Sequence, residues 1–307
     1  APNKAPNKAP ARMAAESPSP VFLPRPLPTL LRLLFVLLLL VAPSIQSPPP
    51  KNMSKPTIVL VPGAWHQPAH YSALIGILES ASYEVVTKRL PSVDSSTPTQ
   101  QSVPNDATFI EKHLLCPLVD QGKDVLLLMH SYGGCPGADA AKGYSKKERT
   151  VAGKKGGIIG LVFMAAFLAN EGDSLLSKLP NQEYDPWVVW NKETSQLNVS
   201  DPKNVFYNDV NDEVAKVAIS QLKLQSEPAL SSPSGPPAWP DSVYDGKRAY
   251  IQTALDNTIP FVAQDAMVTY SGVKWDVTKL NTGHSPFLSQ PQAVADFVVD
   301  RLKAYDY

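Results

Sequence analysis

The sequence predicts an α/β protein: a mostly parallel sheet with helices on both faces and a cap inserted before the last two strands. Three observations carry this. Aliphatic and β-branched runs alternate with stretches of helical spacing, the pattern of parallel strands joined by helical crossovers. Val125–Met129 is apolar without interruption, as a strand covered on both faces must be. The alternation stops between Phe167 and Lys247 and then resumes, a gap too long for a plain loop within a compact sheet.

Taken in order, Thr57–Val61 is a buried first strand and Pro62–His66 a turn. Tyr71–Ser82 has helical spacing through Leu74, Ile75, Ile77 and Leu78, and Tyr83–Lys88 is a second strand. Pro91–Pro104 is a polar loop. Asp106–Leu118 is expected to be helical, with Asn105 or Asp106 as its cap and Pro117 ending or kinking it. Asp124–Met129 is the central strand and Gly133–Gly143 the helix behind it. Tyr144–Lys155, with five basic residues, reads as a solvated loop. Ile158–Ala166, Arg248–Thr253 and Lys274–Lys279 are strands. Pro260–Thr269 and Pro291–Tyr305 are the last two helices, the final one directing Val294, Phe297, Val298 and Leu302 inward. Residues 168–246 form the cap, over the strand ends where open α/β sheets bind ligands. Its Trp187, Trp190 and Trp239 either line an apolar pocket or pack the cap on the core.

The 28 basic and 28 acidic residues of this 307-residue chain leave no net charge. That gives no electrostatic footprint for nucleic acid or an anionic membrane surface. Two cysteines make no disulfide framework and suit a reducing compartment. Histidine is scarce and no metal-ligand spacing occurs, so neither a metal nor another cofactor is expected.

Residues 1–52 stand apart from the globular part, 53–307. The segment opens with two copies of Ala-Pro-Asn-Lys and is rich in proline, a composition that buries no core. Leu30–Ala42 contains an apolar run close in length to a signal-peptide core. The segment is a signal, an anchor or a non-native extension. A chain starting at Met53 would be cytoplasmic; otherwise the run directs it to the secretory pathway or anchors it. Sequons at Asn52 and Asn198 matter only on that second route.

The chemistry centres on Met129-His130-Ser131-Tyr132-Gly133-Gly134. A strand running into a glycine-marked turn and a helix presents the serine at its tip, close to the G-x-S-x-G elbow. An alcohol needs a base to become a nucleophile, and the base needs a partner that fixes its tautomer. His284 follows the last strand and precedes the last helix, where such a base sits in the chain order Ser, acid, His. Asp256 is the carboxylate in the turn after the penultimate strand; Asp265 comes a helix too late and Asp245 precedes the strand. An oxyanion needs two backbone N–H donors. Tyr132, after the serine, and Ala64, in the turn after the first strand, are the candidates. Trp65, His66 and Trp187 are candidate substrate contacts, with His66 alternatively capping local structure.

Val59–His66, His130–Gly134, Asp256–Pro260 and Gly283–Pro286, in this order, resemble the α/β-hydrolase superfamily. The resemblance covers about residues 55–307 and is to the branch with plant methylesterases, hydroxynitrile lyases and small microbial and fungal esterases. It implies the α/β-hydrolase fold, a Ser131–His284–Asp256 triad, the Ala64 and Tyr132 amides as oxyanion hole, and a small-molecule ester or lactone as substrate. Pro62 stands where the family has a histidine, and Met129 where it has a small residue. Lyases of the branch carry a lysine after the catalytic histidine and a threonine in the first turn; here these are Ser285 and Gly63. A hydroxynitrile-lyase-like activity and a ligand receptor are the alternatives to an esterase.

Overall fold

The computed structural model describes residues 55–305. The expectations for residues 1–52, including the Leu30–Ala42 run, lie outside the described residues. Strands β1 (Thr57–Val61), β2 (Val85–Thr87), β3 (Asp124–His130) and β4 (Gly157–Met164) lead into the cap. The cap carries β5 (Val188–Asn191), β6 (Gln196–Val199) and β7 (Gln225–Ser226), and β8 (Arg248–Thr253) and β9 (Asp276–Leu280) follow it. The main sheet has the order β2-β1-β3-β4-β8-β9, and every pairing in it is parallel. β5, β6 and β7 form a separate antiparallel sheet within the cap.

Parallel pairing requires a covered crossover between strands, so the central strands β1, β3 and β4 are buried on both faces and almost wholly apolar, while the edge strand β9 is half-exposed and carries Asp276 and Lys279. Odd and even residues then serve different cores. Val59, Val61, Leu127, Met129, Leu161 and Phe163 face one side, against the segment around residues 103–119 and the cap. Ile58, Leu60, Leu126, Leu128, Val162 and Met164 face the other, against the helices Ser72–Ser80 and Pro291–Ala304. In the last helix Val294, Val298 and Leu302 are buried, while Phe297 is half-buried at the edge of that core.

The chain order reverses between β1 and β3, since β2 lies on one side of β1 and β3 on the other. A crevice opens at such a switch point. Val61 pairs with Met129, so Gly63 and Ser131, each two residues further on, leave the sheet side by side. The cap closes over this crevice: Lys223 N–H donates to the Trp65 carbonyl at 3.0 Å, and Ala238 N–H to the Ala138 carbonyl at 2.9 Å.

Two expectations are corrected. The helix after the polar loop starts at Val103, not near Asp106, because Ser102 is its cap and its Oγ accepts from Asn105 N–H. Asp106 is a buried residue inside the first turns. Pro117 does not end the segment: a π turn at Glu111–Leu115 precedes the continuing helix Cys116–Val119. The wider turn accommodates a residue that cannot donate. The second correction is at Tyr144–Lys155, which contains a helix, Lys146–Val151. Ser145 Oγ accepts from Glu148 N–H, and Glu148 accepts in return from Ser145 N–H, a capping box. Arg149 is buried and donates to the Val119 and Gly156 carbonyls, so the lysine-rich stretch is anchored from within. Ser145→Ala should cost about 1 kcal/mol, or about 2–4 °C in Tm. Thermal unfolding checks this, and an unchanged Tm would remove the capping box as the reason this helix forms.

Candidate active site

Ser131 sits at the tip of the turn that follows β3, with φ of 53°. This left-handed conformation is strained for a residue with a Cβ, by about 1–2 kcal/mol. The turn can form because its neighbours lack side chains. A Cβ on Gly133 would lie 2.6 Å from the Pro62 carbonyl oxygen, and one on Gly63 2.9 Å from the Ser131 Cβ. Met129, at the position the family keeps small, is accommodated by Gly137, whose own Cβ would meet its Sδ at 2.7 Å.

His284, on the loop after β9, brings Nε2 to 2.9 Å from Ser131 Oγ, and its Nδ1 lies 2.9 Å from Asp256 Oδ2. The serine hydroxyl donates to Nε2 when the Nδ1–H donates to the carboxylate. Asp256 is held from all sides. Its Oδ1 accepts from Thr258 and Ile259 N–H at 2.7 and 2.9 Å. Its Oδ2 also accepts from Thr253 Oγ1 and Gln264 Nε2, at 2.8 and 3.1 Å.

Ala64, Trp65, Ser131, Tyr132, Trp187 and Thr258 line one narrow cavity, with apolar residues of the cap. Its free volume is about 30 Å³, room for about two waters. Tyr132 is the second residue of a 3-10 turn, so its N–H has no intrahelical acceptor. The structure thus brings Ser131, His284 and Asp256 together and places Ala64, Tyr132, Trp65 and Trp187 around them. Trp65 and Trp187 meet edge to face with centroids 5.8 Å apart. Trp239 instead packs the cap on the core, its ring centroid 6.2 Å from that of Trp275, and Trp190 is exposed.

His66 is not on the cavity wall. Its Nδ1–H donates to the Ala64 carbonyl at 2.7 Å, and its Nε2 accepts from the Tyr207 hydroxyl. Of its two sequence readings, the local one describes this position. His130, the last residue of β3, is buried beside the loop of His284. Its Nε2–H donates to the His284 carbonyl at 3.0 Å, and its Nδ1 accepts from the Tyr71 hydroxyl at 2.8 Å. Tyr71 accepts in turn from Gly63 N–H. One chain of hydrogen bonds therefore links the turn after β1 to the loop of His284. Gln264 and Asp106 also escaped the sequence reading. Asp106 accepts from the Tyr132 hydroxyl at 2.8 Å and from Ser92 Oγ at 2.5 Å. Neither Gln264 nor Asp106 lies in a recognisable motif; only their partners Asp256 and Tyr132 do.

Residues 58–297 match the Alpha/beta hydrolase family. The chain belongs to the alpha/beta hydrolase family. It is 31% identical over 248 residues to "Alpha/beta hydrolase nvfD" of Aspergillus novofumigatus, covering 80% of this chain and 96% of that protein. In fold it is similar to a pyrethroid hydrolase from Sphingobium faniae, with a TM-score of 0.63 and 19% identity over 81% of this chain and 98% of that one. It is likewise similar to an Arabidopsis methylesterase, with a TM-score of 0.61 and 20% identity over 81% of this chain and 99% of that one. The chain is a hydrolase of this family, and its hydrolase fold brings the three side chains together from the ends of β3, β8 and β9. Among the described residues, no helix is long and apolar enough to cross a membrane.

The buried ionisable groups of this hydrolase oppose one another in their response to acid. Burial, reinforced by neighbouring histidines, holds His66 and His130 well below the ordinary imidazole value. Below about pH 6.5 the unfolded chain binds protons that these two do not, so their contribution falls with pH. Burial pushes Asp106 up to about 6 and Asp139 likewise to about 6. From there down to about pH 4 the folded chain holds protons the unfolded chain lacks, which stabilises on acidification. Asp106→Asn removes one opposing term. Between pH 7 and pH 5 this variant should therefore lose more stability than the wild type, read as the shift of its urea midpoint. An equal or smaller loss would contradict the sign assigned to Asp106.

Proposed function

We propose that the chain is a serine-dependent carboxylic ester hydrolase acting on a small metabolite ester or lactone through an acyl-enzyme. The observation that carries this reading is the pair of 2.9 Å contacts, Ser131 Oγ to His284 Nε2 and His284 Nδ1 to Asp256 Oδ2, on the wall of an apolar cavity. The word hydrolase in the name of the Aspergillus relative points to the same class of reaction.

In this reading Ser131 Oγ attacks the ester carbonyl carbon as its proton passes to His284 Nε2. Asp256 keeps the Nδ1–H oriented and stabilises the imidazolium. The carbonyl oxygen becomes an oxyanion held by the Ala64 and Tyr132 amides, donors that act beside a narrow, mostly apolar cavity. His284 then protonates the leaving alkoxide. Water then attacks the acyl carbon as its proton passes to His284; the bond from that carbon to Ser131 Oγ breaks, His284 returns the proton to Oγ, and the acid leaves. Strain at Ser131 holds Oγ out of the sheet, so no rearrangement precedes attack. Residues 53–307 form the hydrolase domain in this reading, with residues 168–246 as the cap that sizes the pocket.

A fluorophosphonate probe should add once to the wild type, and not at all to Ser131→Ala, by intact mass. An adduct on both would move the nucleophile elsewhere. On a turned-over ester, His284→Ala should lower kcat by about 10⁶ and Asp256→Asn by about 10⁴. If Asp241→Asn or Asp245→Asn is worse than Asp256→Asn, the acid is misassigned. Cyanide release from a hydroxynitrile would favour the lyase reading. Tight ligand binding without turnover would favour a receptor.

A further inference from the structure

The narrow cavity beside Ser131 shares Phe167, Leu179, Asp185, Trp187 and Thr258 with a second one of about 610 Å³. The second is large enough for a ring-bearing substituent, and its walls are mostly apolar. The polar side chains at the junction are almost all engaged within the protein. Thr258 Oγ1 donates to the Val205 carbonyl at 2.8 Å, and the Tyr184 hydroxyl to Glu227 at 2.8 Å. Lys178, the cation on the outer wall, pairs with Asp173. Asp185 is the exception. It lines both cavities, is half-buried, and its carboxylate has no hydrogen-bond or ion-pair partner among the described residues.

We propose that Asp185 is a substrate-reading residue, and that the substrate is an apolar ester carrying a hydroxyl or ammonium donor on the part lying in the larger cavity. The inference rests on the esterase reading of the same site. A carboxylate drawn partly out of water without a partner is unfavourable, and a ligand donor restores its hydrogen bond. Burial raises the Asp185 carboxyl from its ordinary value, in line with partial desolvation. The same charge repels an ester bearing a carboxylate there. Selection then works by attraction of donors and by exclusion of anions.

Four aryl esters differing in one ring substituent test this: aminomethyl, hydroxymethyl, methyl and carboxylate. In the wild type, kcat/KM for the aminomethyl or hydroxymethyl ester should exceed that for the methyl ester by about tenfold or more. The carboxylate ester should be the poorest. The two donor arms distinguish a cation from a neutral hydroxyl as the preferred group. Asp185→Asn should reduce the spread between donor and methyl esters, mainly through KM, and Asp185→Glu should restore part of it. In parallel, binding of the four esters to Ser131→Ala is followed by tryptophan fluorescence, since Trp65 and Trp187 line the cavity. If that ranking holds and Asp185→Asn abolishes it while the wild type hydrolyses none of the esters, the esterase reading fails and the Asp185 assignment stands. If the four bind alike, or if Asp185→Asn leaves the ranking intact, the Asp185 assignment is overturned.

Discussion

The left-handed turn at Ser131 is the constraint on which the rest of this molecule depends. A residue with a Cβ does not rest there unless its surroundings compel it. The compulsion comes from the sheet. β3 is paired on both sides, with β1 and with β4, and the helix behind it begins at once at Gly134. Backbone must pass so close to backbone that Gly63 and Gly133 have no room for a side chain. Packing of the core thereby holds the serine hydroxyl at the crevice.

Around that turn, each of the groups brought together is fixed by a residue that does not itself touch the cavity. Gln264 and Thr253 hold the Asp256 carboxylate. His130 holds the backbone of the His284 loop, and through Tyr71 is joined to the Gly63 amide. His66 grips the Ala64 carbonyl, and Asp106 the side chain of Tyr132. These groups are buried, so each must be hydrogen-bonded to be tolerated. Burial disfavours positive charge on His66 and His130, the two histidines packed beside this site.

The cap has a different logic. It meets the hydrolase core through backbone contacts and through Trp65, whose indole N–H donates to the Leu197 carbonyl on β6. The turn that offers the Ala64 amide is thus part of the cap interface as well. Pocket shape and the position of Ala64 beside Ser131 are coupled through that one turn, and the wider space lies outward, along the cap.

Much of this was legible in the chain. The parallel, doubly covered sheet follows from apolar runs such as Val125–Met129, because only a strand buried on both faces needs no alternation. Ser131, Asp256 and His284 were legible because the order of strands and turns dictates where each must stand. The capping box at Ser145 and Glu148 was also present in the sequence, but the surrounding lysines obscured it. What only the tertiary structure decided is the set of partners separated by long stretches of chain. His130 meets the His284 backbone across more than half the domain, Asp106 meets Tyr132, and Asp185 reaches a cavity it shares with Ser131. Such pairings leave no periodic trace, since one hydrogen bond between distant residues imposes no pattern on the residues between them. The sequence by itself determined the fold and the three side chains at its centre; burial and long-range packing determined which other groups hold them and what the pocket can read.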